Sequence, residues 1–183
     1  GTNGENERLR ITSGGDMGLG TNSPASSHDR VLTIAGTNSA ELKLTGSNYG
    51  VTDTDGADVL FSYGGLYLIN NESTGNIHFH TGSGVPERLR IASNGDIGLG
   101  TVPETDSYQP SLYFAGGNAN IWGSGNANLY TAVNARYTGG GGWKYNNNGL
   151  ASYTAQQSGT WEFRNAPSGT ADNVATFTTR LQI

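Results

Sequence analysis

Residues 87–101 read ERLRIASNGDIGLGT, and almost the same fifteen residues, ERLRITSGGDMGLGT, occupy positions 7–21. The two copies differ at three places, which are Thr12/Ala92, Gly14/Asn94 and Met17/Ile97. Self-similarity at a fixed offset is typical of a chain built from repeated structural units. Because the copies begin 80 residues apart, at Glu7 and Glu87, each repeat must contain several secondary-structure elements.

The correspondence continues beyond this motif. VLTIAGTN at 31–38 aligns with SLYFAGGN at 111–118 at the same offset. GNIHFH at 75–80 aligns with GTWEFR at 159–164 at an offset of 84, so we expect an insertion, which the glycine tract at 139–142 would accommodate. These matches predict two tandem repeats.

The last residues resemble the beginning of the motif once more. TFTTRLQI at 176–183 is similar to VPERLRI, so we expect a third copy to start here and the chain to belong to a longer array. We therefore predict that residues 1–20 end a preceding repeat, that residues 21–100 form repeat 1 and that residues 101–183 form repeat 2.

Short runs of alternating polar and apolar residues, such as RLRI, VLTIAG, VLFSY and NIHFH, predict β-strands. Gly, Asn, Ser and Asp clusters separate them, as turns require, and no segment has the apolar spacing of a helix. We predict an all-β fold of glycine-rich hairpins or sandwich-like repeats.

The motif itself predicts a hairpin. Asn94-Gly95 suits a two-residue type I′ turn, which would place Ile91 opposite Gly98 and put apolar residues on both faces. A three-residue loop would shift this pairing. In the two-residue register the glycines leave room for another chain to approach. The residues that we expect to pack between repeats or chains are Leu9, Ile11, Leu19, Leu89, Ile91, Gly98, Leu99 and Gly100.

Composition limits the possible functions. Of the 183 residues 29 are glycine, 34% are hydrophobic and none is cysteine, so disulfides are excluded and a thick single-chain core is difficult to build. The net charge is −5 and the basic residues form no cluster, which argues against nucleic acid as a partner. No apolar run is long enough for membrane insertion. Proteins with so little core often gain stability from neighbouring repeats or from other copies of the chain.

The motif ERLRI-x-S-x-GD-(M/I)-GLGT, with its looser copy ATFTTRLQI, resembles the repeats of bacteriophage tail-fibre and related virion fibre proteins. The resemblance covers essentially the whole chain. It implies an elongated, intertwined β-rich homotrimer on the virion, which is assembled in the host cytoplasm and acts outside the cell. Its expected partners are other virion tail proteins and a host cell-surface receptor, for which a glycan is one candidate, and its expected role is structural or adhesive.

Two groups of polar residues are candidates for chemistry. His78 and His80 share one face of a strand, and fibres of this kind sometimes bind metal through His-x-His. We nevertheless expect no metal or other cofactor, because Glu162 and Arg164 take these positions in the second repeat, which suits a solvent face with Ile77 and Phe79 in the core. Asp53, Asp55 and Asp58 superficially resemble a calcium loop, but the expected Glu and the flanking helices are missing, so we expect an ordinary polar loop.

Aromatic and amide residues of the second repeat form a candidate glycan-binding site, consisting of Trp143, Tyr145 and Trp122. Tyr and Trp combine apolar rings with polar tips, and amides supply both donors and acceptors, a mixture that suits sugars. We expect Trp143 and Tyr145 to be exposed in the inserted loop.

Two further hypotheses remain open. No catalytic constellation is recognisable, and we expect no enzyme activity, yet the chain could belong to a polysaccharide-degrading tailspike, which would need a carboxylate pair in a groove. Glycine-rich β repeats also occur in bacterial surface adhesins. Under that hypothesis the fold is the same, but the protein belongs to a bacterium and not to a phage.

Overall fold

The computed structural model describes residues 8–24, 31–48, 50–114, 116, 118–124 and 128–183. These residues form seventeen β-strands and a single short 3₁₀ turn, which confirms the predicted all-β fold. The chain divides into two compact units, Gly1–Ser73 and Thr74–Ile183. The repeat boundaries at residues 20 and 100 remain a prediction.

The first unit contains two three-stranded sheets. One consists of β1 (Leu9–Ile11), β2 (Met17–Leu19) and β3 (Leu32–Ile34), in which β2 and β3 run parallel. The other is an antiparallel meander of β4 (Ser39–Leu44), β5 (Ala57–Ser62) and β6 (Gly65–Asn70).

The second unit is organised around a nine-stranded sheet. Its strands in chain order are β7 (Ile77–His80), β8 (Glu87–Ile91), β9 (Ile97–Leu99), β10 (Ser111–Phe114), β11 (Ala119–Ser124) and β12 (Asn128–Val133), followed after a separate hairpin by β15 (Gly149–Gln157), β16 (Thr160–Gly169) and β17 (Thr178–Gln182). The separate hairpin is β13 (Ala135–Tyr137) and β14 (Trp143–Tyr145), joined through the 3₁₀ turn Gly139–Gly141.

The motif forms a hairpin with a three-residue loop. The Gly95 N–H donates to the Ala92 carbonyl at 2.9 Å, and the Ala92 N–H donates to the Asp96 carbonyl at 2.8 Å. Gly95 has φ +89° whereas Asn94 does not have a positive φ, so the turn is type I followed by a left-handed glycine rather than type I′. The register is therefore Ile91 opposite Ile97, and the predicted pairing of Ile91 with Gly98 is wrong.

This register separates the faces of the hairpin. Leu89 pairs with Leu99 and Ile91 with Ile97, so these four side chains share one face, and Gly98 lies on the other beside Arg90. The prediction of apolar residues on both faces is thus wrong. The space over Gly98 is filled by the same chain, because a Cβ there would meet the Thr101 carbonyl and lie 3.0 Å from Pro103 Cδ.

A buried carboxylate connects the hairpin to the next strand. Asp96 is 0% exposed and accepts hydrogen bonds from the Ser111 N–H and the Ser107 hydroxyl, each at 2.6 Å. Ser111 begins β10, which runs parallel to β9. In the first copy Asp16 accepts from the Val31 N–H, just before β3. The aspartate thus determines where the chain re-enters the sheet after the hairpin, as well as the conformation of the turn.

The segments matched at the end of each repeat also pair alike. Phe79 of β7 lies opposite Leu89, and Phe163 of β16 lies opposite Leu181. In both ladders the register shifts at the residue after the phenylalanine. TTRLQI therefore pairs with β16 as ERLRI pairs with β7.

Candidate functional site: an open apolar face and an aromatic cavity

One face of the nine-stranded sheet carries large apolar side chains that remain accessible to solvent. The ladders place Phe163 on the same face as Leu181, and Ile97 on the same face as Ile91. We call this surface the open face. Its residues with 37–55% exposure are Phe79, Ile91, Ile97, Leu99, Leu129, Val133, Trp161, Phe163 and Leu181.

The first unit has apolar faces of the same kind. In the β4–β6 meander, Leu42, Val59 and Leu68 lie side by side across the three strands. Together with their neighbours they are 43–71% exposed; the set is Leu42, Leu44, Val59, Phe61, Leu66 and Leu68. In the β1–β3 sheet the corresponding residues are Leu9, Ile11, Met17, Leu19 and Leu32, at 37–65%.

The exposed apolar side chains of each unit form continuous rows. Large apolar side chains lie next to one another across paired strands and are left half-exposed, Phe163 beside Leu181 and Val59 beside Leu68 among them. Contiguous exposed apolar side chains are typical of an interaction site.

The residues predicted to pack between repeats or chains divide into two groups. Leu9, Ile11 and Leu19 lie on the apolar face of β1–β3, and Leu89, Ile91 and Leu99 lie on that of the nine-stranded sheet. Gly98 and Gly100 lie elsewhere. Gly98 is buried under its own chain, and Gly100 has φ +63° and is exposed at the end of β9.

The opposite face of the nine-stranded sheet contains the main core and a cavity. Trp122, Ala132, Tyr153 and Ala155 are buried there. Beside them lies a cavity of about 580 Å³ lined by six aromatic residues, which are Tyr108, Trp122, Tyr130, Tyr137, Trp143 and Tyr153. Tyr108 precedes β10, and the strands β11, β12 and β15 and the β13–β14 hairpin supply the other five. The volume falls within the range of small-molecule sites, about 300–1,000 Å³.

The aromatic rings of the cavity support one another. Trp143 stacks on Tyr153 with 4.2 Å between centroids and 7° between planes, and Trp122 stacks on Tyr130 at 5.0 Å and 13°. Tyr137 meets Trp143 edge-on. Burial raises the pKa of the Tyr153 hydroxyl. Stacked and edge-on contacts of this kind between aromatic rings are favourable.

Polar groups complete the lining. The Tyr130 hydroxyl donates to Gln157 Oε1 at 2.9 Å, and Gln157 Nε2 donates to Glu162 at 2.9 Å. Arg164 pairs with Glu162 through Nη2 at 2.8 Å. Two buried atoms of lining residues, Asn128 Oδ1 and Arg164 Nε, have no hydrogen-bond partner within the described parts of the chain.

The predicted glycan-binding residues are only partly brought together. Trp122 and Trp143 both line the cavity, but Trp122 is 6% exposed and Trp143 lies in β14, packed against Tyr153. Tyr145 is 3% exposed and donates its hydroxyl to the Pro167 carbonyl at 2.6 Å, in a different core cluster. The expectation that Trp143 and Tyr145 are exposed in a loop is wrong, because β14 pairs with β13.

The histidines form a cluster that the sequence only partly indicates. Nδ1–H of His78 donates to Glu87 at 2.6 Å and Nδ1–H of His80 to the Val85 carbonyl at 2.9 Å. Ligand atoms of His78, His80 and Glu87 lie within 4.8 Å of one another, so the geometry brings three metal-ligating side chains together. The expectation that no metal is bound here stays a prediction. Glu87 was missed because its proximity depends on the β7–β8 register.

Two charged residues define the electrostatics of this cluster. The Arg90 guanidinium donates two hydrogen bonds of 2.9 Å to Glu87 and, with His78, lowers the pKa of Glu87 to about 2.

The prediction that Phe79 faces a core is wrong for the single chain, since Phe79 is 39% exposed on the open face.

In the acidic stretch, the carboxylates of Asp55 and Asp58 form hydrogen bonds with other residues of the first unit. Asp55 accepts from the Thr52 N–H at 2.9 Å and the Thr52 hydroxyl at 2.7 Å, as in a polar turn. Asp58 instead pairs with Lys43 at 3.0 Å and accepts from Asn71 at 2.7 Å. The two carboxylates thus have separate structural partners.

Comparisons with known proteins add no assignment: no protein-family model, no curated protein and no solved structure matches the chain. Within the described residues, no helix has the length and hydropathy needed to cross a membrane.

Proposed function

We propose that this chain is a structural and adhesive segment of a bacteriophage tail fibre that works as a homotrimer and has no catalytic role. The single observation that carries the proposal is the open face, on which Phe163, Leu181 and Ile97 and their neighbours are left half-exposed. A face this apolar is costly in water, at about 25 cal/mol for each Å².

Other copies of the same chain are the partner that this surface suits best. The open face carries Thr131 and Thr154 between its apolar residues and no charged residue on the central strands β10, β11 and β12, so it suits an equally apolar surface. Repetition of the motif gives each chain several such faces. The number three comes from the resemblance to tail-fibre repeats, whereas the exposed faces support self-association.

The mechanism of such a segment is geometric. Sheets that bury their apolar faces between chains would form a rigid module that connects to other tail proteins on the virion and holds binding sites away from it. Three copies of each site would act together, so that weak contacts with a host receptor sum to firm attachment.

The mass of the purified chain in solution tests the proposal. Light scattering coupled to gel filtration should give three times the chain mass, and Phe163→Asp should reduce it to that of a monomer, because a charge would then face the apolar interface. Ser168→Asp, at an exposed position outside the apolar set, is the matched control. A stably folded wild-type monomer over a wide concentration range would refute self-association.

A further inference from the structure

The aromatic cavity contains the features of a built ligand site. Its walls are packed aromatic rings, whereas its polar lining comes from Gln109, Ser124, Asn128, Gln157 and Arg164. A ligand that enters therefore meets both hydrogen-bonding groups and ring faces. We propose that this cavity binds a neutral saccharide of the host surface, an inference that rests on the adhesive role proposed above and specifies its ligand.

The unpaired polar atoms point to hydroxyl groups. Asn128 Oδ1 is an acceptor and Arg164 Nε is a donor, and both are buried without a partner in the part of the chain described. A buried polar atom left unpaired costs free energy, which a ligand can recover by pairing with it. One hydroxyl group both donates and accepts, so a polyhydroxylated ring can satisfy the two atoms together.

The charge balance indicates a neutral sugar. Arg164 is the one charged residue among the described residues that line the cavity, and its Nη2 is already paired with Glu162 at 2.8 Å. That pair leaves no net positive charge to compensate a ligand carboxylate. A sialic or uronic acid would have to lose its water without gaining an unpaired cation, which is unfavourable.

A glycan array tests this inference directly. The 183-residue chain is applied to neutral hexose and N-acetylhexosamine glycans and, separately, to sialylated and uronate glycans. We expect binding to neutral glycans, and calorimetry with the methyl glycoside of the strongest of them should give a dissociation constant that rises about tenfold in Asn128→Ala and in Arg164→Lys. Lysine keeps the charge facing Glu162 but lacks Nε, and Asn173→Ala at an exposed position is the control that should bind as the wild type does.

The readouts separate this inference from the proposed function. Light scattering on the same samples reports assembly independently of sugar binding. If the chain assembles but binds only acidic glycans, binds none, or binds equally well after both cavity substitutions, the inference is overturned and the structural role stands. If the chain binds a neutral glycan through the cavity as a monomer, the inference stands and self-association fails.

Discussion

The carboxylate of Asp96 accepts a 2.6 Å hydrogen bond from the backbone N–H of Ser111, fifteen residues along the chain. This contact links the hairpin loop of the repeated motif to the first residue of the parallel strand β10. Through Asp96, the Gly-Asp pair of the motif therefore stabilises the sheet as well as the turn. A residue type that is common in turns thus determines where the next strand begins.

Substitution of Asp96 by Asn should destabilise the second unit. The amide keeps an acceptor oxygen for the Ser111 N–H but directs its NH2 group toward Asn94 Nδ2–H, which donates to Asp96 at 2.8 Å, so one hydrogen bond to a charged acceptor is lost. We expect the free energy of unfolding to fall by about 2–3 kcal/mol, measured by urea denaturation. Asp53→Asn, in an exposed loop, should change it little. Equal effects of the two substitutions would show that Asp96 does not hold β10.

Gly98→Ala should be costly although the side chain added is a single methyl group. Its Cβ would meet the Thr101 carbonyl and Pro103, both of which belong to the segment that follows β9. Overpacking of this kind costs about 1–3 kcal/mol, and thermal unfolding would measure it. Gly140→Ala is the control, since no atom lies within 4 Å of that Cβ position. An unchanged melting temperature for Gly98→Ala would mean that the space over this glycine is free.

Glu87 should make the stability depend on pH in the acid range. Arg90 first and His78 second lower its pKa to about 2, below the ordinary value of 4.5. Ionised Glu87 therefore stabilises the fold fully above about pH 4.5, and this contribution disappears as the pH falls toward 2. The difference in unfolding free energy between wild type and Glu87→Gln should shrink across that window.

The carboxyl titration of Glu87, followed by NMR, checks the cause. A midpoint near 2 is expected in the wild type, and it should rise when Arg90 is replaced by Met, because the two guanidinium hydrogen bonds are removed. A midpoint close to 4.5 in the wild type would contradict the contact with Arg90.

The sequence predicts the strands of this protein better than their pairing. Alternation and turn residues are local signals, and they suffice for an all-β fold and for a hairpin at Asn94-Gly95. The register depends on whether one or two turn residues adopt positive φ, which Asn-Gly permits in either form. A shift by one residue moves every side chain to the other face, and so Gly98 and Leu99 exchange roles relative to the prediction.

Long-range contacts explain the rest of what was missed. The cavity unites Trp122 with Trp143 and Tyr153 from strands that are distant in sequence, and the inserted glycine tract suggested a loop where β13 and β14 form a hairpin. Burial of Tyr145 beneath the Pro167 segment depends on a contact of the same kind. No pattern within a short window contains this information.

The accessibility of the open face tests the central claim most directly. The chain contains no cysteine, so Val133→Cys introduces a single thiol on that face, and Ser168→Cys introduces one at an exposed position outside it. At concentrations where light scattering shows assembly, the thiol at position 133 should react with a maleimide dye much more slowly than the thiol at 168. On addition of Phe163→Asp the two rates should become similar. Equal rates in the assembled protein would contradict burial of the open face between copies of the chain.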